Sequence, residues 1–128
     1  DWICVRAGES TFEFSQSAGL LASWQYRGIE FLAGPMRLEV VRAATDNDGI
    51  RLWSGQDGKP LGRWYELGLL KNPLVHKPDG MEFHMSPDGT LRVRLRNAVS
   101  ARRNWKDIIH VHEYFIAPGG TLTVHNEV

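Results

Sequence analysis

Pro87-Asp88-Gly89-Thr90-Leu91-Arg92-Val93-Arg94-Leu95-Arg96 is the stretch that decides the fold class. Leu91, Val93 and Leu95 alternate with Arg92, Arg94 and Arg96, and a period of two sets one group against a core and the other in water. A half-buried β-strand satisfies that pattern, whereas an α-helix would scatter both groups around its axis. The preceding Pro-Asp-Gly is turn chemistry, because proline presets φ at the first turn position and glycine accepts a positive φ. The same tripeptide stands at Pro78-Asp79-Gly80, so the sequence predicts two turns flanking the segment from Met81 to Met85.

Further out, the same signals repeat. Phe12 and Phe14 share one face of a predicted strand, Ser15-Gln16-Ser17-Ala18-Gly19 reads as its turn, and Ala22, Trp24 and Tyr26 share a face of the return strand. Arg27-Gly28 turns into Ile29 and Phe31, and Gly34-Pro35 closes that unit before a β-branched strand at Val40 and Val41. Ile109 to Ile116, then Pro118-Gly119-Gly120, then Leu122 and Val124 make another hairpin. Alternation lapses between Thr45 and Gly58, where clustered Asp, Asn and Gly favour a long ordered loop. After it, Pro60, Leu61, Trp64 and Tyr65 recur at helical spacing and Gly68 offers a left-handed end, which predicts one short helix near 60–68. The expectation is an all-β chain, a single antiparallel β-sandwich module over residues 1–128. Its last strand, ending at Glu127-Val128, is left ready to pair with something else, which predicts self-association through sheet edges.

With 128 residues, 42% of them hydrophobic and 23% charged, the chain is composed like one ordinary globular domain. Fifteen Lys plus Arg balance fifteen Asp plus Glu, so no net field draws in nucleic acid or an anionic membrane, and neither is expected as a partner. The single cysteine, Cys4, excludes an intramolecular disulfide framework and fits a reducing compartment. No apolar run approaches the ~18 residues of a membrane-spanning helix, and Asp1-Trp2-Ile3-Cys4 lacks the basic start of a signal peptide. The expected location is cytoplasmic.

Several side-chain groupings bear on chemistry. Asp46 and Asp48 are the carboxylate pair a retaining glycosidase would ask for, one acid and one nucleophile roughly 5 Å apart. Two residues apart on one loop, they point to the same side more readily than across a sugar, and a loop tied by its own side-chain hydrogen bonds explains them better. His110 and His112 share a strand face, and a metal would need a third ligand such as His84 or His125; packing is the simpler reading. Arg92, Arg94 and Arg96, with Arg102 and Arg103 beyond, could grip phosphates, but acidic cross-strand neighbours such as Glu82 or Glu113 would neutralise them. Trp24 and Trp64 read as packing, whereas Trp53, in the polar loop, is a candidate platform for the apolar face of a sugar.

The segment Arg42-Ala43-Ala44-Thr45-Asp46-Asn47-Asp48-Gly49 resembles the Arg-Ala-Pro-Thr-Asp-Asn-Asp signature in the carboxy-terminal β-sandwich of glycoside hydrolase family two β-galactosidases. Gly19-Leu20-Leu21-Ala22-Ser23-Trp24 and Gly28-Ile29-Glu30-Phe31-Leu32-Ala33-Gly34-Pro35 stand before it, as in that family, and Trp64-Tyr65-Glu66-Leu67-Gly68-Leu69 resembles the short helix that follows. The resemblance covers nearly the whole chain and implies a galactose-mutarotase-like sandwich, of which this chain is the first half. It further implies a parent enzyme that hydrolyses terminal β-galactosides such as lactose with glutamates in a central barrel, so no catalytic residue falls here. Arg42, Asp46, Asn47, Asp48 and Trp53 become candidates for the edge of a galactoside site. The implied partners are the parent's remaining domains. No cofactor is implied for this chain, and any magnesium or sodium belongs to other domains. Ala44 replaces the family's usual proline, which leaves the approach to the loop less constrained. A different reading is a free-standing carbohydrate-binding or aldose-mutarotase-like sandwich, with His110, His112 and Glu113 as its acid and base groups.

Overall fold

The computed structural model describes residues 1–40, 42–50, 58–67, 69, 74–101 and 106–128. Alternating segments pair in sequence order into two four-stranded antiparallel sheets. The first contains β1 (Trp2–Ala7), β2 (Ser10–Ser15), β3 (Leu20–Tyr26) and β4 (Ile29–Glu30). The second contains β5 (Val75–Met85), β6 (Leu91–Ser100), β7 (Ile108–Ile116) and β8 (Leu122–Glu127). Between the sheets in the chain lie a single 3₁₀ turn at Asp46–Asp48 and the helix α1 (Pro60–Glu66). Pro60 opens α1, where its missing N–H costs nothing. Gly68, expected to end the helix, lies outside the described residues.

The core is where the inner faces meet. Phe12, Phe14 and Leu21 from the first sheet pack on Val93, Leu95, Tyr114 and Ile116 from the second, all at 1% exposure or less. Leu91, Val93 and Leu95 therefore face inward as their alternation requires, and truncating one such side chain to alanine typically costs about 2–5 kcal/mol. Two hairpin ends also interlock. Ser10 Oγ donates to Gly120 O (3.4 Å), and Asn97, wholly buried on β6, donates through Nδ2 to Gly19 O (2.8 Å) in the β2–β3 turn.

The two Pro-Asp-Gly tripeptides have different fates. Pro87-Asp88-Gly89 turns as expected: Ser86 N–H reaches Thr90 O (2.9 Å), and Gly89 adopts φ +82°. Pro78-Asp79-Gly80 does not turn, and β5 runs straight through it with a bulge between Pro78 and Gly80. β5 is an edge strand, where a proline lacking an N–H is tolerated, and the extra residue, Asp79, pairs with Arg96. The strand expected at Val40 also fails: residues 35–40 form no regular element, and Val41 lies outside the described residues. Met36 N–H is tied to Leu21 O (2.9 Å), which draws this segment along the sandwich instead of into either sheet. Conversely β1, which carries no turn signal as strong as Pro-Asp-Gly, pairs along its whole length with β2.

Candidate functional site

The segment from Arg42 to Gly49 folds into a knot centred on one carboxylate. Asp48 is 4% exposed, and the Arg42 guanidinium clasps it in bidentate fashion, Nη1 to Oδ2 at 2.6 Å and Nη2 to Oδ1 at 2.9 Å. The Thr45 backbone N–H and hydroxyl both donate to Oδ2 at 2.8 Å. This Thr-x-x-Asp reciprocity opens the 3₁₀ turn, and Gly49 ends it at φ +104° with its N–H on Asp46 O (3.1 Å). The Arg42 pair first, and then the Thr45 donors, hold the Asp48 carboxyl far below the usual carboxylate range. Such a group is a fixed anion and cannot serve as a proton donor near neutral pH.

The knot also reaches the helix. The Arg42 guanidinium lies over the Trp64 ring, 5.2 Å from its centroid, and Lys59 Cβ comes within 3.0 Å of where a Cβ on Gly49 would sit. Arg42, Thr45, Asp48, Gly49 and Trp64 thus form one unit, although the sequence offered the 42–49 segment and Trp64 in two separate motifs. Asp46 and Asn47 are exposed where Asp48 is buried, so the two aspartates occupy unlike environments. Trp53 lies outside the described residues.

Glu30 does for the β3–β4 hairpin what Asp48 does for the loop. It accepts hydrogen bonds from Ser23 Oγ (2.5 Å), Trp24 N–H (3.0 Å) and Leu32 N–H (2.9 Å). The Ser23 hydroxyl first, and then the backbone donors, pull its pKa down to about 2. Trp24 stacks between Phe12 and Phe31, with centroids at 6.0 and 5.3 Å, so it packs as expected.

The histidines are arranged differently from expectation. His110 and His112 do share the inner face of β7, each 2% exposed, with ring centroids 3.6 Å apart. His84 and His125 do not join them. His84 pairs with Arg92 and His125 with Glu113, both on the outer face. The third histidine near the pair is His76, opposite Val99 on the inner face, and its charge would be felt by His112. Burial first, and then the charges of His110 and His76, press the His112 pKa down to about 4; burial also lowers His110 and His76. Among the described residues no group of three or more His, Cys, Asp or Glu is arranged to hold a metal.

Glu113 faces outward between Arg92 and Arg94, so it cannot share a mutarotase-like site with His110 and His112. It neutralises part of the arginine face as the sequence suggested. Arg96 is taken by Asp79, which also lies 3.8 Å from Lys106. Arg102 and Arg103 lie outside the described residues. No helix of the described residues is long and apolar enough to cross a membrane.

No curated protein matches the chain significantly. A family model does: the one described as beta galactosidase small chain matches residues 6–128, a span that takes in β2 to β8, the end of β1, the Arg42–Asp48 knot and α1. With all but the first five residues matched, the chain belongs to the β-galactosidase small-chain family.

Proposed function

We propose that the chain is a non-catalytic β-sandwich module of a β-galactosidase, the first half of a galactose-mutarotase-like sandwich. Hydrolysis of terminal β-D-galactosides such as lactose belongs to other domains of the parent enzyme, as does any magnesium or sodium it uses. In this reading the Arg42–Asp48 knot anchors the loop that follows it at the edge of the galactoside site. Asp46 and Asn47, with Trp53 as the sequence suggests, are the proposed groups to meet sugar hydroxyls or a pyranose face. The observation that carries the reading is the use of the Asp48 carboxylate: among the described residues its polar contacts go to Arg42 and Thr45, which is architecture, while its neighbours Asp46 and Asn47 are exposed. The outward position of Glu113 favours this reading over a free-standing mutarotase.

Steady-state kinetics on the full-length enzyme test it. Asp48→Asn weakens the Arg42 clasp and is expected to lower kcat/KM about tenfold or more by misplacing the loop. Asp46→Ala is expected to raise KM with the fold intact. Unchanged kinetics and stability in both variants would refute the role of the loop. Measurable galactoside hydrolysis, or aldose mutarotation above the buffer rate, by the 128-residue chain alone would refute the non-catalytic assignment.

A further inference from the structure

The free edge of β5 is guarded along only half its length. The outermost strand of a sheet leaves a row of backbone N–H and C=O groups unpaired, and natural edges are blunted by proline, bulges and charge. Lys77, Pro78 and the bulge at Pro78/Gly80 do this for the first half of β5, and the Asp79–Arg96 pair holds the bulge. Among the described residues no proline, bulge or inward-facing charge protects the half from Met81 to Met85. There Met81 lies opposite Leu95, Phe83 opposite Val93 and Met85 opposite Leu91, so all three share a face with the core residues Val93 and Leu95. The first sheet leaves them partly uncovered, with Phe83 41% and Met85 60% exposed. Glu82 and His84 alternate onto the outer face, opposite Arg94 and Arg92. β6 and β7 separate this edge from β8, on the far side of the sheet.

We propose that Met81 to Met85 is a self-pairing edge, through which a second copy of this chain adds its own β5 in antiparallel fashion and joins two four-stranded sheets into one. The segment selects this occupant because it is self-complementary about Phe83. A two-fold axis there sets Phe83 against Phe83 of the second copy, Met81 against Met85 and Glu82 against His84. Apolar side chains then meet apolar ones on the inner face. On the outer face each Glu82 carboxylate lies between Arg94 of its own copy and His84 of the second, an acceptor between two donors. Moving the axis to Glu82 would keep the apolar face matched but set two carboxylates opposite one another, so charge fixes the register. This edge is distinct from β8, and the pairing does not rest on the function proposed above.

Sedimentation equilibrium and disulfide trapping test this on the 128-residue chain and on the full-length enzyme, in a Cys4→Ser background that removes the chain's one native thiol. A concentration-dependent dimer is expected. Phe83→Cys sets two thiols directly across the axis, with Cβ atoms about 5 Å apart, and is expected to cross-link on air oxidation. Met85→Cys leaves its two thiols four residues out of step, about 14 Å apart, and is expected to stay unlinked. His84→Glu, beside Arg92, keeps the fold but sets carboxylate against carboxylate twice per dimer, and is expected to weaken dimerisation about tenfold; adding Glu82→Lys is expected to restore it. A chain that stays monomeric at millimolar concentration, equal cross-linking at both positions, or a dimer indifferent to His84→Glu would each overturn the proposal. So would a cross-link formed by the 128-residue chain and absent from the full-length enzyme, which would assign this edge to another domain.

Discussion

Mild acid is expected to destabilise this chain well before its carboxylates titrate, and His112 is the main reason. Its ring is 2% exposed, and burial, reinforced by His110 and His76, holds its pKa at about 4 against 6.5 for an ordinary histidine. A folded-state pKa below the unfolded one means the unfolded chain binds the proton first, so stability falls as pH drops through the window from 6.5 to about 4. At pH 5 the difference amounts to about 2 kcal/mol, reduced to about 1–2 kcal/mol by solvent screening. His110 and His76, whose pKa values are also lowered, act in the same direction. Glu30, Asp48, Asp88 and Glu113 have lowered pKa values, so their contribution is intact above the ordinary carboxylate range and is lost only in stronger acid. Urea unfolding followed by tryptophan fluorescence at pH 7.5 and pH 5 should show a midpoint about 0.5–1 M lower at pH 5. His112→Gln, neutral throughout, should remove most of that difference. Equal midpoints at the two pH values, or a full acid loss retained in His112→Gln, would refute the reasoning.

Two further tests address the devices that hold the sheets together. Gly120 has φ +89°, and a Cβ there would lie 2.6 Å from Ala7 O and 2.8 Å from Ser10 Oγ, so Gly120→Ala is expected to cost about 1–3 kcal/mol, read as a lowered melting temperature. Glu30→Gln leaves the core untouched but weakens the acceptor for Trp24 and Leu32, and amide hydrogen exchange at those two N–H groups should accelerate while β6 and β7 stay protected.

Much of this protein is written locally. Alternation at Leu91 to Arg96 and at Phe12 to Phe14 specified strands, because a period of two satisfies one buried face in no other regular structure. Pro87-Asp88-Gly89 specified its turn through backbone preferences that need no distant partner. Family membership was legible in the same local way, in ordered motifs from Gly19 to Leu69. What those motifs do was not: Arg42, Asp48 and Trp64 meet only because the fold brings the 3₁₀ turn and α1 together. The histidines show the limit best. Alternation put His110 and His112 on one face, but which histidine joins them depends on the register of β5, and the bulge at Pro78/Gly80 adds one residue to that strand. One added residue exchanges the two faces of a strand. His76, before the bulge, therefore faces inward toward the pair, while His84, which straight alternation would put on the same side as His76, turns outward beside Arg92. That choice belongs to edge pairing and to the Asp79–Arg96 contact, long-range interactions that exist only once the second sheet has formed.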